Sequence, residues 1–298
     1  MNYAITGGAG HTSKPIVEAL LRAGHTVTVI GRNAEHLKPL TDAGATAAIG
    51  SVEDRAFLTQ AFTGADAVYT MVPPKWDAAD WKGYIGSIGQ NYAEAIKAAG
   101  VKHVVNLSSV GADKAEGCGP VSGLYRVEQA LNGLEGVNVL HLRPAFFFYN
   151  FLGNAGMVKH MNIIGGNYGN AGQEMVIVDP ADIAEVAAEE LLKLKFTGKT
   201  VRYIASQELK AGDIARIIGE AVGKPALPWV EFTDTDNLNG LVGAGISEEV
   251  ARNYTEMGKG IRSGHMMEDY YRNRPTEFGK RRFEDFAKTV FAAVYANA

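Results

Sequence analysis

Three glycines near the amino terminus, Gly7, Gly8 and Gly10, stand where the apolar run Tyr3-Ala4-Ile5-Thr6 gives way to a helical pattern starting at Ile16. Residues of this type at this spacing either cradle a phosphate or simply turn the chain from strand to helix, and the strand and helix flanks favour the first. One glycine lets the chain turn sharply off a strand, and another, lacking a β-carbon, lets an anion reach the main chain. The helix start adds unpaired N–H groups at the positive end of a dipole. Gly7, Gly10, His11, Thr12 and Ser13 are therefore expected to cradle a pyrophosphate. The spacing Gly7-x-x-Gly10-x-x-Ser13 departs from the Gly-x-Gly-x-x-Gly fingerprint, with Ser13 where a third glycine is usual.

Other candidates sit at the ends of later apolar runs. Arg32 follows the run His25–Ile30, and no Asp or Glu stands at that tip. An acidic residue there suits a ribose 2′-hydroxyl, whereas arginine suits a 2′-phosphate, so NADP(H) is favoured and NAD(H) is the alternative. Met71, Val72 and Pro73 close the run that starts at Asp66. Proline does not continue a central strand, so the chain must leave the sheet there, over the nicotinamide end of a dinucleotide. Ser108 ends the run Val101–Leu107 on the same edge.

The elements that must position these residues alternate. Strand-like runs at 3–6, 25–30, 45–49, 66–72, 101–107 and 137–142 are separated by helical patterns at 15–23, 34–43, 55–62, 85–99 and 122–131. That order predicts an α/β fold, a doubly wound parallel sheet of Rossmann type with helices on both faces and ligands at the carboxyl edge. The nucleotide-binding part is expected over 1–150 and a smaller, mostly helical substrate-side lobe over 151–298, with a strand and helix within 177–205 returning to the sheet.

Phe146, Phe147 and Tyr149 are either walls of a pocket for a flat apolar substrate or core beneath the sheet. Tyr254, Met257, Ile261, His265, Met266 and Met267 carry the same two readings. The stretch 206–211 leads into a helix over 212–222, the charged stretch 272–282 reads as a solvated face, and an amphipathic helix closes the chain from Phe283.

Composition narrows the class. The 298 residues carry a net charge of -4, which leaves no electrostatic footprint for nucleic acid. No apolar run is long enough for a membrane span and no signal peptide pattern opens the chain, so a cytoplasmic protein is expected. The single cysteine, Cys118, flanked by glycines, reads as a passive loop residue. The seven histidines show no ligand spacing, so no metal site is expected, and no Gly-x-Ser-x-Gly suggests a hydrolase.

The motifs together resemble the NmrA-like branch of the atypical short-chain dehydrogenases/reductases. They are Gly7-x-x-Gly10, Val72-Pro73-Pro74, Leu107-Ser108-Ser109, Val127-Glu128-x-x-Leu131, Leu142-Arg143-Pro144 with Asn150, Val178-Asp179-Pro180-Ala181-Asp182-Ile183-Ala184, and the terminal GKRRFEDF at 279–286. The related families often carry Gly-Asp-x-x-Asp after the third strand, the first Asp near the adenine. Here Ser51 takes that place, so Ser51 and Val52 would contact the adenine loosely or through the backbone.

The resemblance implies an NADPH-dependent reductase of quinones or dyes with a small-molecule substrate, or a cofactor-sensing regulator without catalysis. A homodimer or a regulatory protein partner fits either. The wider superfamily uses Tyr-x-x-x-Lys. With Glu128 matched to the helix glutamate, those positions hold Pro120 and Leu124, and both groups are missing. Tyr125 is the adjacent candidate proton donor, with Gln129 in the lysine register. Hydride transfer to a quinone needs no dedicated tyrosine, because the acceptor can take its proton from solvent. The missing pair therefore counts against alcohol–ketone chemistry and against a sugar-nucleotide epimerase.

Overall fold

The computed structural model describes residues 1–298. Strands and helices alternate through the first half as β1 (Asn2–Ile5), α1 (Ser13–Arg22), β2 (Thr26–Gly31), α2 (Ala34–Asp42), β3 (Thr46–Ile49), α3 (Arg55–Phe62), β4 (Ala67–Thr70), α4 (Trp81–Ala99), β5 (His103–Leu107), α5 (Val121–Asn132) and β6 (Asn138–Pro144). The second half is less regular: β7 (Phe146–Phe147), α6 (Ala155–Met161), β8 (Ile164–Gly166), β9 (Glu174–Val178), α7 (Pro180–Lys193), β10 (Lys199–Ile204), β11 (Gln207–Lys210), α8 (Ala211–Ala221), β12 (Trp229–Glu231), α9 (Asp234–Gly243) and α10 (Glu248–Arg262). A helical segment from Phe283 to Asn297, with a π turn at Ala287–Phe291, ends the chain.

The central sheet has seven strands in the order β10-β6-β5-β4-β1-β2-β3, all parallel. Such a sheet must be covered on both faces. Ile16, Val17 and Leu20 of α1, with Ile183, Ala187 and Leu191 of α7, cover one face. Leu58 and Phe62 of α3, Ile88, Tyr92 and Ile96 of α4, and Val127 and Leu131 of α5 cover the other. The strand order turns round beside β1, which has β2 on one side and β4 on the other. The crevice outside the carboxyl ends of β1 and β4 is thus the topological switch point, where open α/β sheets bind ligands.

Of the 177–205 stretch, α7 and β10 lie on the central sheet, with β10 pairing β6 from Lys199↔Val139 to Ile204↔Pro144. The preceding strand, β9, instead joins a small sheet between β11 and β7. The stretch read as a lead-in to a helix, 206–211, mostly forms β11, whose Gln207–Lys210 pair antiparallel with β9. Its alternation is too short to show in sequence. A separate aromatic core holds this half together, with Phe148, Phe151, Phe283, Phe286 and Phe291 all buried.

The charged stretch 272–282 is not simply a solvated face. Arg274 pairs with Glu208, and Arg281 reaches the buried Asp182 at 2.7 Å and Glu185 at 2.7 Å. Burial opposes the Asp182 charge. Hydrogen bonds from Ser206, from the Arg281 side chain and from the N–H groups of Arg281 and Lys280 outweigh it and hold its pKa below the ordinary carboxylate value. A depressed folded pKa gives stability that is complete above the unfolded value, about pH 4, and lost as pH falls through the folded one. Asp182→Asn is expected to cost about 2 kcal/mol at neutral pH, a charged hydrogen-bond set being lost. The gap to the parent should close below about pH 4 in acid denaturation series.

Candidate functional site

The turn between β1 and α1 is built on main-chain geometry. Gly7 has φ +90° and Gly8 φ +54°, conformations that side chains disfavour. A β-carbon at Gly7 would stand 2.4 Å from Ser13 Oγ and 2.9 Å from Met71 Cγ, so the turn closes only with glycine. At Gly10 a β-carbon would meet nothing but the Gly7 carbonyl, at 3.1 Å, and otherwise faces open space.

Side-chain oxygens cap α2, α3, α4 and α7 through Asn33, Asp54, Asp80 and Asp179. At α1 no side chain caps the amino end and no acidic residue lies in its first turn. The N–H groups of Ala9, His11, Thr12 and Ser13 have no acceptor within the chain. A row of open donors at a helix amino end, beside bare main chain, is what a pyrophosphate requires. The residues present fit a dinucleotide.

This corner opens into a cleft of about 840 Å³. Of the residues expected to bind a cofactor, Gly7, Gly10, His11, Arg32, Ser51, Val52, Met71 and Pro73 line it. Arg32 is exposed at its wall and forms no ion pair within the chain. Thr12 and Ser13 are buried behind the cleft. The Ser13 hydroxyl donates to Thr6 O at 2.8 Å, so it ties α1 to β1 and leaves its own N–H open. Asn33, His36, Glu53, Pro74 and Tyr84 also line the cleft and were not foreseen. Glu53 pairs with Lys75 at 3.5 Å, which offsets a negative charge in the cleft that Arg32 also lines.

The exit of β4 is held rigidly. The Thr6 hydroxyl donates to Tyr69 O at 3.2 Å and accepts from Met71 N at 2.9 Å. The Tyr92 hydroxyl donates to Met71 O at 2.6 Å. Beyond that exit lies a second cavity of about 320 Å³, mostly apolar, which shares Met71, Pro73 and Pro74 with the cleft. Val72 and Ser108, expected beside the cofactor, line this second cavity and not the first. Phe146 and Phe147, read as pocket wall or core, line this cavity, but Tyr149 does not. Tyr149 packs on His11 instead, ring centroids 4.5 Å apart, and joins the glycine turn to the aromatic core.

From the carboxyl-terminal half, Tyr254, Met257, Ile261, Met266 and Met267 reach the cavity, while His265 lies outside it. Trp76 and Trp81 close one end against Tyr254, with Trp76 stacked at 6.1 Å and 16°. Pro120 and Leu124, the positions matched to the Tyr-x-x-x-Lys pair, line the cavity as apolar groups. Tyr125, one residue on, turns away and lines neither cavity, so the structure does not bring it to the site as the proton-donor expectation required. Cys118 is fully buried among Ala112, Val121 and Met257, and burial pushes its thiol up to about 12, in keeping with a passive residue.

Sequence reading missed a buried charged chain behind Ser108. The Ser108 hydroxyl donates to Glu128 Oε1 at 2.5 Å. Arg143 holds the same carboxylate with two bonds, Nε to Oε1 at 3.0 Å and Nη2 to Oε2 at 2.6 Å. Its Nη1 continues to the Tyr203 hydroxyl at 2.9 Å and to Asp269 Oδ2 at 3.1 Å. Burial works against the Arg143 charge, but the bonds and Coulomb attraction of Glu128 outweigh it and raise its pKa above the ordinary value. The signals in sequence were the motifs that hold Glu128 and Arg143 and the placing of both charges inside patterns that otherwise read as core.

No group of three or more His, Cys, Asp or Glu side chains stands close enough to hold a metal ion, and no helix is long and apolar enough to cross a membrane.

The chain is 25% identical over 221 residues to a (4-alkanoyl-5-oxo-2,5-dihydrofuran-3-yl)methyl phosphate reductase of Streptomyces griseus, covering 74% of each chain. It is 26% identical over 297 residues to the prestalk A differentiation protein A of Dictyostelium discoideum, covering 98% of this chain and 93% of that one. The structure is similar to that of an NADPH-dependent quinone oxidoreductase of Escherichia coli complexed with NADPH, with a TM-score of 0.82 at 21% identity over 97% of this chain and 99% of the other. The NmrA-like family model matches residues 2–286, and the chain belongs to the NmrA-like family.

Proposed function

We propose that this chain is an NADPH-dependent oxidoreductase that reduces a quinone-like or other small apolar acceptor. The observation that carries this reading is the meeting of the two cavities at Met71, Pro73 and Pro74. A cleft fitted for a dinucleotide opens, at the carboxyl edge of the sheet, onto an apolar chamber of substrate size. The Escherichia coli reductase of the same fold binds NADPH, and the Streptomyces relative is a reductase, which supports the reading.

Bound NADPH supplies the hydride, and the protein supplies binding and orientation. The open N–H groups at the start of α1 would hold the diphosphate. Arg32 would hold the 2′-phosphate. The β4 exit, locked by Thr6 and Tyr92, gives the reacting end a stiff floor. The chamber would give a flat acceptor an apolar surface, and the reduced acceptor would take its proton from solvent.

The test is NADPH consumption with a panel of quinones, read by absorbance and matched to acceptor reduced. Arg32→Ala should raise the dissociation constant for NADPH about ten- to hundredfold, one charge-assisted contact being lost, and leave NADH nearly unaffected. Equal loss for both would take Arg32 out of the discrimination.

A second reading, a non-catalytic NADP(H)-sensing regulator, is favoured by Pro120 and Leu124 standing in the chamber where other superfamily members carry their proton-transferring pair. Tight NADP(H) binding with no turnover across the panel would select it.

A further inference from the structure

We propose that Ser108 shows the apolar chamber only hydrogen-bond lone pairs, and so selects, among flat apolar acceptors, those that carry a neutral N–H or O–H donor. The inference deepens the reductase reading and rests on the chamber being the acceptor site.

A carboxylate gripped by both arms of a guanidinium has only lone pairs to offer. Glu128 is 2% exposed, and Arg143 takes both its oxygens. The third donor to that carboxylate is the Ser108 hydroxyl, at 2.5 Å. A hydroxyl has one proton, so with that proton committed to Glu128 the oxygen can only accept from a ligand. The Ser108 N–H is also committed, to Leu142 O at 2.8 Å, so the backbone cannot supply a donor in its place. Ser109, its neighbour on the chamber wall, spends its hydroxyl proton in the same way, on Val110 O at 3.0 Å, while its N–H stays open.

The serines follow β5, and the register Thr70↔Asn106 sets them beside the β4 exit at Met71 and Val72. Their hydroxyls therefore stand at the end of the chamber that meets the cleft. Donors toward the ligand come from other groups: the open N–H groups of Val72 and Ser109, Asn150, and the Tyr254 hydroxyl, which bonds to nothing within the chain. Those suit a carbonyl oxygen. A ligand with no donor would leave the buried lone pairs of Ser108 unpaired, which is the costly case.

The test uses two neutral compounds of nearly the same shape, 2-amino- and 2-methyl-1,4-naphthoquinone. Trp76 and Trp81 line the chamber, so binding to the full chain is read by quenching of tryptophan fluorescence. The parent should bind the amino compound about tenfold more tightly, the effect of one well-formed buried hydrogen bond. In Ser108→Ala the ratio should fall to about one. That variant removes a single oxygen and leaves the Glu128–Arg143 pair intact, and its melting curve reports on folding.

No preference in the parent, a preference that survives in Ser108→Ala, or no quenching by either compound would overturn the inference. NADPH oxidation is followed in the same samples. A preference that appears and is lost on substitution, without turnover, would uphold this inference while the reductase reading fell.

Discussion

Arg143→Ala is expected to destabilise the fold by about 3–5 kcal/mol, the largest single-residue effect on stability in the site. The reason is the partner it abandons. Glu128 is 2% exposed, and without the guanidinium its charge would keep only the Ser108 hydroxyl. Removing one partner of a buried pair leaves an uncompensated charge, which costs far more than the pair contributes. Removing both should therefore be milder. A Glu128→Leu/Arg143→Met double variant is expected to recover at least half of the loss, and the non-additivity measures the coupling. Denaturant unfolding of the parent, the two single variants and the double variant supplies the four numbers. A loss below about 1 kcal/mol for Arg143→Ala would mean that water reaches Glu128 and that the chain behind Ser108 is not sealed.

The second large effect is on binding. Gly10→Val should weaken NADP(H) binding by about a hundredfold or more, since open donors at the start of α1 would lose access to a diphosphate. Gly10 has no positive φ, and its β-carbon would meet only the Gly7 carbonyl, at 3.1 Å. The valine methyls enter the open space at the wall of the cleft. Stability should fall by about 1–2 kcal/mol, because the Gly7 carbonyl must give way to the β-carbon. Isothermal titration with NADPH, beside a melting curve, separates the two quantities. Unweakened binding would show that the cofactor does not lie against this turn. By contrast, Gly7 could not be used for this test. Its φ of +90° and the 2.4 Å approach to Ser13 Oγ mean that any side chain there disturbs the fold itself.

Much of the architecture was readable because its signals are local. A strand, a glycine turn and a helix leave their mark within about a dozen residues, and the run from β1 to β6 repeats that mark. Proline at 73 and 74 announced where the chain leaves the sheet, and the structure places the junction of the two cavities there. The smaller elements were harder. β11 is four residues long and exists because β9 stands opposite with free ladder positions. The stretch 272–282 looked like a solvated face because its partners, Asp182, Glu185 and Glu208, lie far away in sequence.

The site divides along the same line. Residue types and spacing alone determined an α/β fold, the glycine turn and the arginine that follows β2, because each depends on neighbours within a turn or two of chain. Only the folded chain decided that Tyr125 turns away while Leu124 faces the chamber, and that Tyr149 serves the glycine turn and not the pocket. Likewise only the fold could join Ser108, Glu128, Arg143 and Asp269 in one buried chain. Such partners are set by which strands and helices pack together, and desolvation makes their pairing obligatory once they meet. Side-chain chemistry is written along the chain, but which atoms must satisfy one another is settled by burial.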